Sequence, residues 1–110
     1  GTTHTNAGTY TDPWTFTDGT GNYNNASGTV SDSIAKATAT VTVFGYTVNY
    51  NGAAYTATGM ATGLLGESLS GLNLSGTTHT NIGTYTDPWT FTDVTGNYLN
   101  ASGTVSDRIV

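Results

Sequence analysis

At 110 residues the chain is long enough for one small domain, or one domain and part of a second. It has no cysteine, so neither a disulfide nor a thiolate metal site is available. A net charge of -5, with Lys36 and Arg108 the only cations, leaves no basic footprint for nucleic acid or an anionic membrane surface, and no apolar run is long enough for a membrane span.

Threonine is the commonest residue, at 25 of 110, and charged residues make up only 8%. That bias suits pleated, half-exposed strands kept wettable by hydroxyls, as in long extracellular β-proteins, and is far from the Lys- and Glu-rich surface of an intracellular enzyme. No signal peptide is present, and the chain opens in mid-pattern at Gly1, as a processed or excised fragment would.

Taken in chain order, Tyr10, Trp14 and Phe16 share one face, with Thr9, Thr11, Thr15 and Thr17 opposite. Gly19–Asn22 reads as a turn, and Gly28, Val30 and Ile34 line a returning strand, so the first segment is a hairpin. Ala37, Ala39, Val41 and Val43 alternate with Thr38, Thr40 and Thr42 in a clean period-2 strand. The phase slips at Phe44-Gly45, which suggests a bulge or a change of sheet, before Tyr46, Val48 and Tyr50 alternate again. Asn51-Gly52 is the strongest hairpin-turn dipeptide, with Tyr55–Met60 as the returning strand. Gly63–Ser75 is the least β-like stretch, where five leucines fit one short helix or a looped edge strand. Nowhere is there an amphipathic helix of three turns.

Residues 76–110 then repeat residues 1–35 with an offset of 75. Thirty of 35 positions match; the exceptions are Ala7/Ile82, Gly19/Val94, Asn24/Leu99, Ser33/Arg108 and Ala35/Val110. A fixed period with this identity denotes an array. The parsing is therefore one complete 75-residue repeat at 36–110, preceded at 1–35 by the hairpin that forms the C-terminal half of a previous one. Half a unit cannot bury its own apolar face, so 1–35 should rest on the neighbouring unit or take a strand from an identical chain.

Asn6-Ala-Gly-Thr-Tyr10 and Asn81-Ile-Gly-Thr-Tyr85 resemble the tyrosine corner of immunoglobulin-like sandwiches, in which the hydroxyl ties back to the backbone. The expected fold is all-β, an Ig-like β-sandwich repeat, with a β-grasp-like fold carrying one short helix near 64–72 as the competitor. Tyr50-Asn-Gly52, Gly63-Leu-Leu-Gly-Glu67, Asn81-Ile-Gly-Thr-Tyr85, Gly96-Asn-Tyr98 and Ser102-Gly-Thr-Val105, in that order, resemble the MBG/YDG-type repeats of bacterial cell-surface adhesins. The departures are Asn51 where Asp is usual and an Asp87-Pro88-Trp89 insert. The resemblance implies stalk or adhesin modules on a bacterial surface, without catalytic residues. The partners it implies are neighbouring repeats.

Candidate site residues are weighed on that basis. His4 and His79, one per repeat, read as surface or hydrogen-bonding residues, because a metal site needs several converging ligands. No nucleophile elbow, phosphate loop or zinc spacing is present, so no enzyme is expected. Asp12, Asp18 and Asp32 recur as Asp87, Asp93 and Asp107. If the hairpin turns about Asn22, Asp12 and Asp32 face each other, and a cation, a shared proton or another register must relieve the repulsion. Calcium is the candidate ion, against solvent-exposed aspartates as the simpler reading. Trp14 and Trp89 read as core and Tyr10 and Tyr85 as corners. Asn22 and Asn97 lock the turn, and Tyr23 and Tyr98 beside them are the aromatics best placed for exposure on a sugar platform. Lys36 invites an isopeptide crosslink; Asn25, Asn73 and Asn100 begin glycosylation sequons.

Overall fold

The structure, a computed structural model, describes residues 1–110 and is all-β, with one single-turn 3-10 helix at Ser75–Thr77. The chain divides into two compact units, 1–36 and 37–110.

The first unit is a hairpin of β1 (Gly8–Phe16) and β2 (Ala26–Ile34), antiparallel and nine residues long on each side. Tyr10 lies opposite Asp32, Asp12 opposite Val30 and Trp14 opposite Gly28. Period-2 alternation puts Tyr10, Asp12, Trp14 and Phe16 on one face together with Val30, Asp32 and Ile34. The Trp14 indole lies flat over Gly28, where a Cβ would stand 2.7 Å from its ring. The space a side chain would need is filled from across the ladder.

The second unit contains β3 (Thr40–Phe44), β4 (Thr47–Val48), β5 (Thr58–Thr62), β6 (Leu72–Asn73), β7 (Gly83–Phe91) and β8 (Ala101–Ile109). β3 and β5 form a two-stranded antiparallel sheet, and a second sheet has the order β4-β8-β7-β6. β7 and β8 repeat the register of β1 and β2 residue for residue. β6 adds antiparallel to the far end of β7 at Leu72/Phe91 and Asn73/Thr90, clear of Pro88, which has no N–H to give. β4 adds parallel to β8 at Thr47/Arg108 and Val48/Ile109. The apolar core is small: Ala57, Ala61, Phe91, Tyr98 and Ile109 are buried, with Thr77, Asp87 and Asp107 beside them.

Several sequence expectations change in this unit. The alternating run from Ala37 forms a strand only from Thr40; Ala37 itself makes an isolated parallel bridge to Tyr98. Asn51-Gly52 does turn the chain, with Gly52 at φ +82° and Asn51 Oδ1 accepting from the Ala53 N–H. It does not join paired strands, however: Tyr50 bonds to Val110 and Tyr55 to His79. The helix considered near 64–72 is absent. Gly66 and Gly71 take positive φ, Glu67 accepts the Leu65 N–H, and Leu64 and Leu65 point outward from a tight turn. Glycine conformations and a local side-chain bond outcompete a helix there.

The slip at Gly45 is where the chain passes from one sheet to the other, β3 lying before it and β4 after. A Cβ at Gly45 would stand 2.1 Å from the Ser106 carbonyl oxygen. Gly45→Ala is therefore expected to push β4 off β8 and cost about 3 kcal/mol, read as a lowered urea midpoint with an unchanged m-value.

Candidate functional site

The most concentrated chemistry lies where β7 and β8 meet the segment before β7. Asp87 and Asp107 are diagonal neighbours on the inner face, since the register sets Tyr85 against Asp107 and Asp87 against Val105. His79 reaches them from the chain leading into β7, with Nε2 at 2.8 and 2.9 Å from the two Asp87 carboxylate oxygens. Its ring stacks on Tyr85 at 3.5 Å between centroids and 6° between planes. Tyr85 is fixed in turn: its hydroxyl donates to the Asn81 carbonyl at 2.8 Å, four residues upstream. Tyr46 closes the group, its N–H donating to Asp107 Oδ1 at 3.2 Å and its hydroxyl to the Thr77 carbonyl at 2.7 Å.

Asp107 has no exposed surface, and its Oδ2 has no N–H or hydroxyl donor. Burial, and then the adjoining Asp87 carboxyl, push Asp107 up to about 6, against the pull of the Tyr46 N–H and His79. Burial would raise Asp87 too, but the bond from Asp107 and the one from His79 bring it below its ordinary value. One proton shared between the two carboxyls, held on Asp107, accounts for both directions.

The same group recurs in the first unit with less cover. His4 Nε2 lies 2.7 Å from Asp12 Oδ2 and stacks on Tyr10, whose hydroxyl donates to the Asn6 carbonyl at 2.6 Å. Asp32 is raised, chiefly by its bond with Asp12 and then by burial. His4, Asp12 and Asp32 each offer one ligand atom, all within 4.8 Å of one another. A nitrogen with two carboxylate oxygens suits a transition metal better than calcium, which prefers oxygen alone.

Asp18 and Asp93 do not join these groups. Asp18 Oδ1 and Oδ2 accept the Thr20 and Tyr23 N–H groups, which hold it down at about 2. Asp93 likewise accepts from Thr95, Gly96 and Tyr98, while Asn100 Oδ1 accepts the Asp93 N–H. Both are caps of the β-turn region, and a cation there would have to displace backbone donors. Asn22 and Asn97 each donate a backbone N–H to a threonine hydroxyl two residues earlier.

The two tyrosines beside those turns differ. Tyr23 is exposed, but Tyr98 is buried, and its hydroxyl donates to Glu67 Oε1 at 2.5 Å while accepting the Leu64 N–H. Tyr98 is thus a tie between the β7–β8 turn and the Gly63–Glu67 turn, not half of a sugar platform. Trp14 is 44% exposed and Trp89 half-buried, so neither is core in full. Lys36, the residue named for an isopeptide crosslink, is exposed at the end of the first unit.

The sequence reading gave the histidines a hydrogen-bonding role without naming their partners, and passed over two other participants. Treating each histidine alone missed its bond to the aspartate eight residues later, and nothing local marked Tyr46 or Glu67 as partners. The visible signal was the recurrence of His, Tyr, Asp and Asp together at fixed offsets in both copies. Replacing Tyr85 by Phe keeps the stacked ring but loses the hydroxyl bond, and is expected to cost about 1 kcal/mol, read as a fall in melting temperature.

Proton sharing and aromatic stacking pin the start of β7 to β8 and to Tyr46. No protein-family model, curated protein or solved structure matches this chain.

Proposed function

We propose that the chain is a structural repeat module, a stalk, spacer or fibre subunit of a long extracellular protein on a bacterial surface, with no catalytic role. The observation that carries this reading is the 75-residue internal repeat, kept at 30 of 35 positions across two copies. Near-identical modules lengthen a chain by a fixed increment, and recombination between them varies that length. The finer fold in this reading is an Ig-like sandwich, supported by two sheets, one antiparallel and one mixed, and by the tyrosine-corner bond. Where the copies differ, the second copy places Ile82, Val94 and Leu99 outward, so drift is confined to the surface.

A glycan-binding module is the rival. Its strongest support is a shallow open hollow lined by Thr90, Phe91, Asn100 and Ser102, repeated at Thr15, Phe16, Asn25 and Ser27. The deciding experiment concatenates one to four copies of 36–110 and follows them by small-angle scattering and on a glycan array. Maximum dimension growing linearly with copy number, without selective glycan binding, is expected. Saturable, selective binding by a single unit would replace the module reading with the rival.

A further inference from the structure

Asn51 is the only asparagine in the chain that is followed by glycine. Asparagine is chemically labile, because its carboxamide carbon can be attacked by the backbone nitrogen of the next residue. The attack needs a free nitrogen, a donor for the charge that builds on the carboxamide oxygen, and a proton for the departing amine. The turn between Tyr50 and Tyr55 supplies all of them.

Gly52 is exposed, its nitrogen makes no hydrogen bond within the protein, and nothing lies within 4 Å of the place a Cβ would occupy. At φ +82° it sits in a region that glycine enters and leaves at little cost. Asn51 Oδ1 accepts the Ala53 N–H at 3.0 Å, so a donor already stands where negative charge develops. Asn51 Nδ2 donates to the Tyr55 hydroxyl at 2.7 Å. Once the carboxamide carbon is tetrahedral, that nitrogen gains a lone pair and the contact reverses, with the hydroxyl as the proton donor. The frame around the turn is fixed: the Tyr50 N–H donates to the Val110 carbonyl, and Tyr55 exchanges two backbone bonds with His79. Asp18-Gly19, the one comparable dipeptide, lacks this arrangement. Its carboxylate accepts the Thr20 and Tyr23 N–H groups, which hold it ionised and so a poor centre for attack.

We propose that Asn51-Gly52 is a self-modification site, at which the folded turn promotes conversion of Asn51 to aspartate and isoaspartate. The Gly52 nitrogen gives its proton to solvent base and bonds to the Asn51 side-chain carbonyl carbon. The bond from that carbon to Nδ2 breaks, and Nδ2 leaves as ammonia with a proton from Tyr55, which regains one from water. Water then opens the five-membered imide. Addition at the side-chain carbonyl gives aspartate; addition at the backbone carbonyl gives isoaspartate, with the chain running through the side chain. Either product adds a negative charge to a chain of net charge -5. Isoaspartate also lengthens the backbone by one carbon between two pinned tyrosines, so the Tyr50 and Tyr55 amides should exchange faster in that form. The conversion belongs to the 37–110 unit and stands apart from the repeat-module reading.

The test ages the 110-residue protein in warm, mildly alkaline buffer beside a synthetic peptide of residues 48–58. Intact mass follows the replacement of an amine by a hydroxyl, and digestion locates isoaspartate. Expected is conversion at Asn51 at least as fast in the folded protein as in the peptide, with Asp18 unchanged. Tyr55→Phe, which keeps the ring, should slow conversion about ten-fold in the protein, its thermal melt serving as the control for folding. Asn51→Gln, on the exposed turn, should abolish the mass change. Slower conversion in the folded protein than in the peptide would mean that the fold protects the turn, and overturns the proposal. A rate indifferent to Tyr55→Phe, or a mass change that persists in Asn51→Gln, overturns it equally.

Discussion

Phe91→Ala is expected to remove a large part of the stability of the 37–110 unit, while Phe16→Ala leaves the protein's stability almost unchanged. The two residues sit in identical nine-residue strands, GTYTDPWTF, so propensity and local register are the same. Only burial differs: Phe91 is 1% exposed and Phe16 49%. Emptying a closed core site of a phenyl ring costs about 3–5 kcal/mol through lost transfer energy and the cavity left behind. A unit of this size has about 4–11 kcal/mol in total. Few other large side chains share that core, chiefly Ile109 and Tyr98, so little can collapse into the space. At Phe16 the ring already meets solvent, and the expected change is within about 0.5 kcal/mol. Urea denaturation of both variants, followed by Trp89 fluorescence in a Trp14→Phe background, checks the pair. Equal losses at the two sites would mean that the first hairpin is covered after all.

Asp107→Asn is expected to stabilise the unit at neutral pH, contrary to the usual effect of altering a buried polar residue. The carboxyl of Asp107 is raised to about 6 from an unfolded value of 3.8. Between those values the folded state holds more protons than the unfolded one, so stability falls as pH rises and levels off above about 6. Asp87, Asp93 and Glu67 are shifted the other way and lose their contributions only as pH falls below their ordinary values of 3.8, 3.8 and 4.5. From pH 4.5 to 6 Asp107 therefore sets the slope, a loss of about 1–2 kcal/mol once screening through the thin cover of so small a unit is allowed for. Asparagine keeps an oxygen for the Tyr46 N–H and offers Asp87 a fixed donor in place of the shared proton. The variant should gain that energy at pH 7 and show no slope over the window. Asp107→Ala, which strands the Tyr46 N–H, should lose stability at every pH. Thermal melts at half-unit pH steps separate these outcomes.

What the residues disclosed depended on how far apart the interacting partners lie. The hairpins were legible because alternation, the turn glycines and the repeat act within thirty-five residues. The Tyr10 and Tyr85 bonds span four residues and follow from a local motif. The aspartate pairing was legible once a register was assumed, though the true register makes Asp12 and Asp32 diagonal and not opposite. Partners across the fold were not. Tyr46 meets Asp107 across 61 positions, and β4 chooses a parallel partner in β8 where Asn51-Gly52 points to an antiparallel return. Such choices rest on which face needs covering, which a local pattern does not encode. The leucines of 64–74 left two readings open for the same reason: apolar content alone cannot tell a helix from a looped edge held by glycines, and the structure takes the second, with Leu72–Asn73 as an edge strand.

The parallel seam also has a mechanical meaning. From Ala37 to Tyr50 the first part of the second unit runs alongside the Asn97–Val110 stretch in the same direction, with bonds at Ala37/Asn97, Leu99/Ala37, Arg108/Tyr46, Val110/Val48 and Tyr50/Val110. A pull applied to the two ends of that unit draws these neighbours past each other in shear, so the bonds share the load and break together. An antiparallel seam would instead peel open one bond at a time. A unit whose core is this small therefore meets tension with its backbone, along the one line where its beginning and its end are joined.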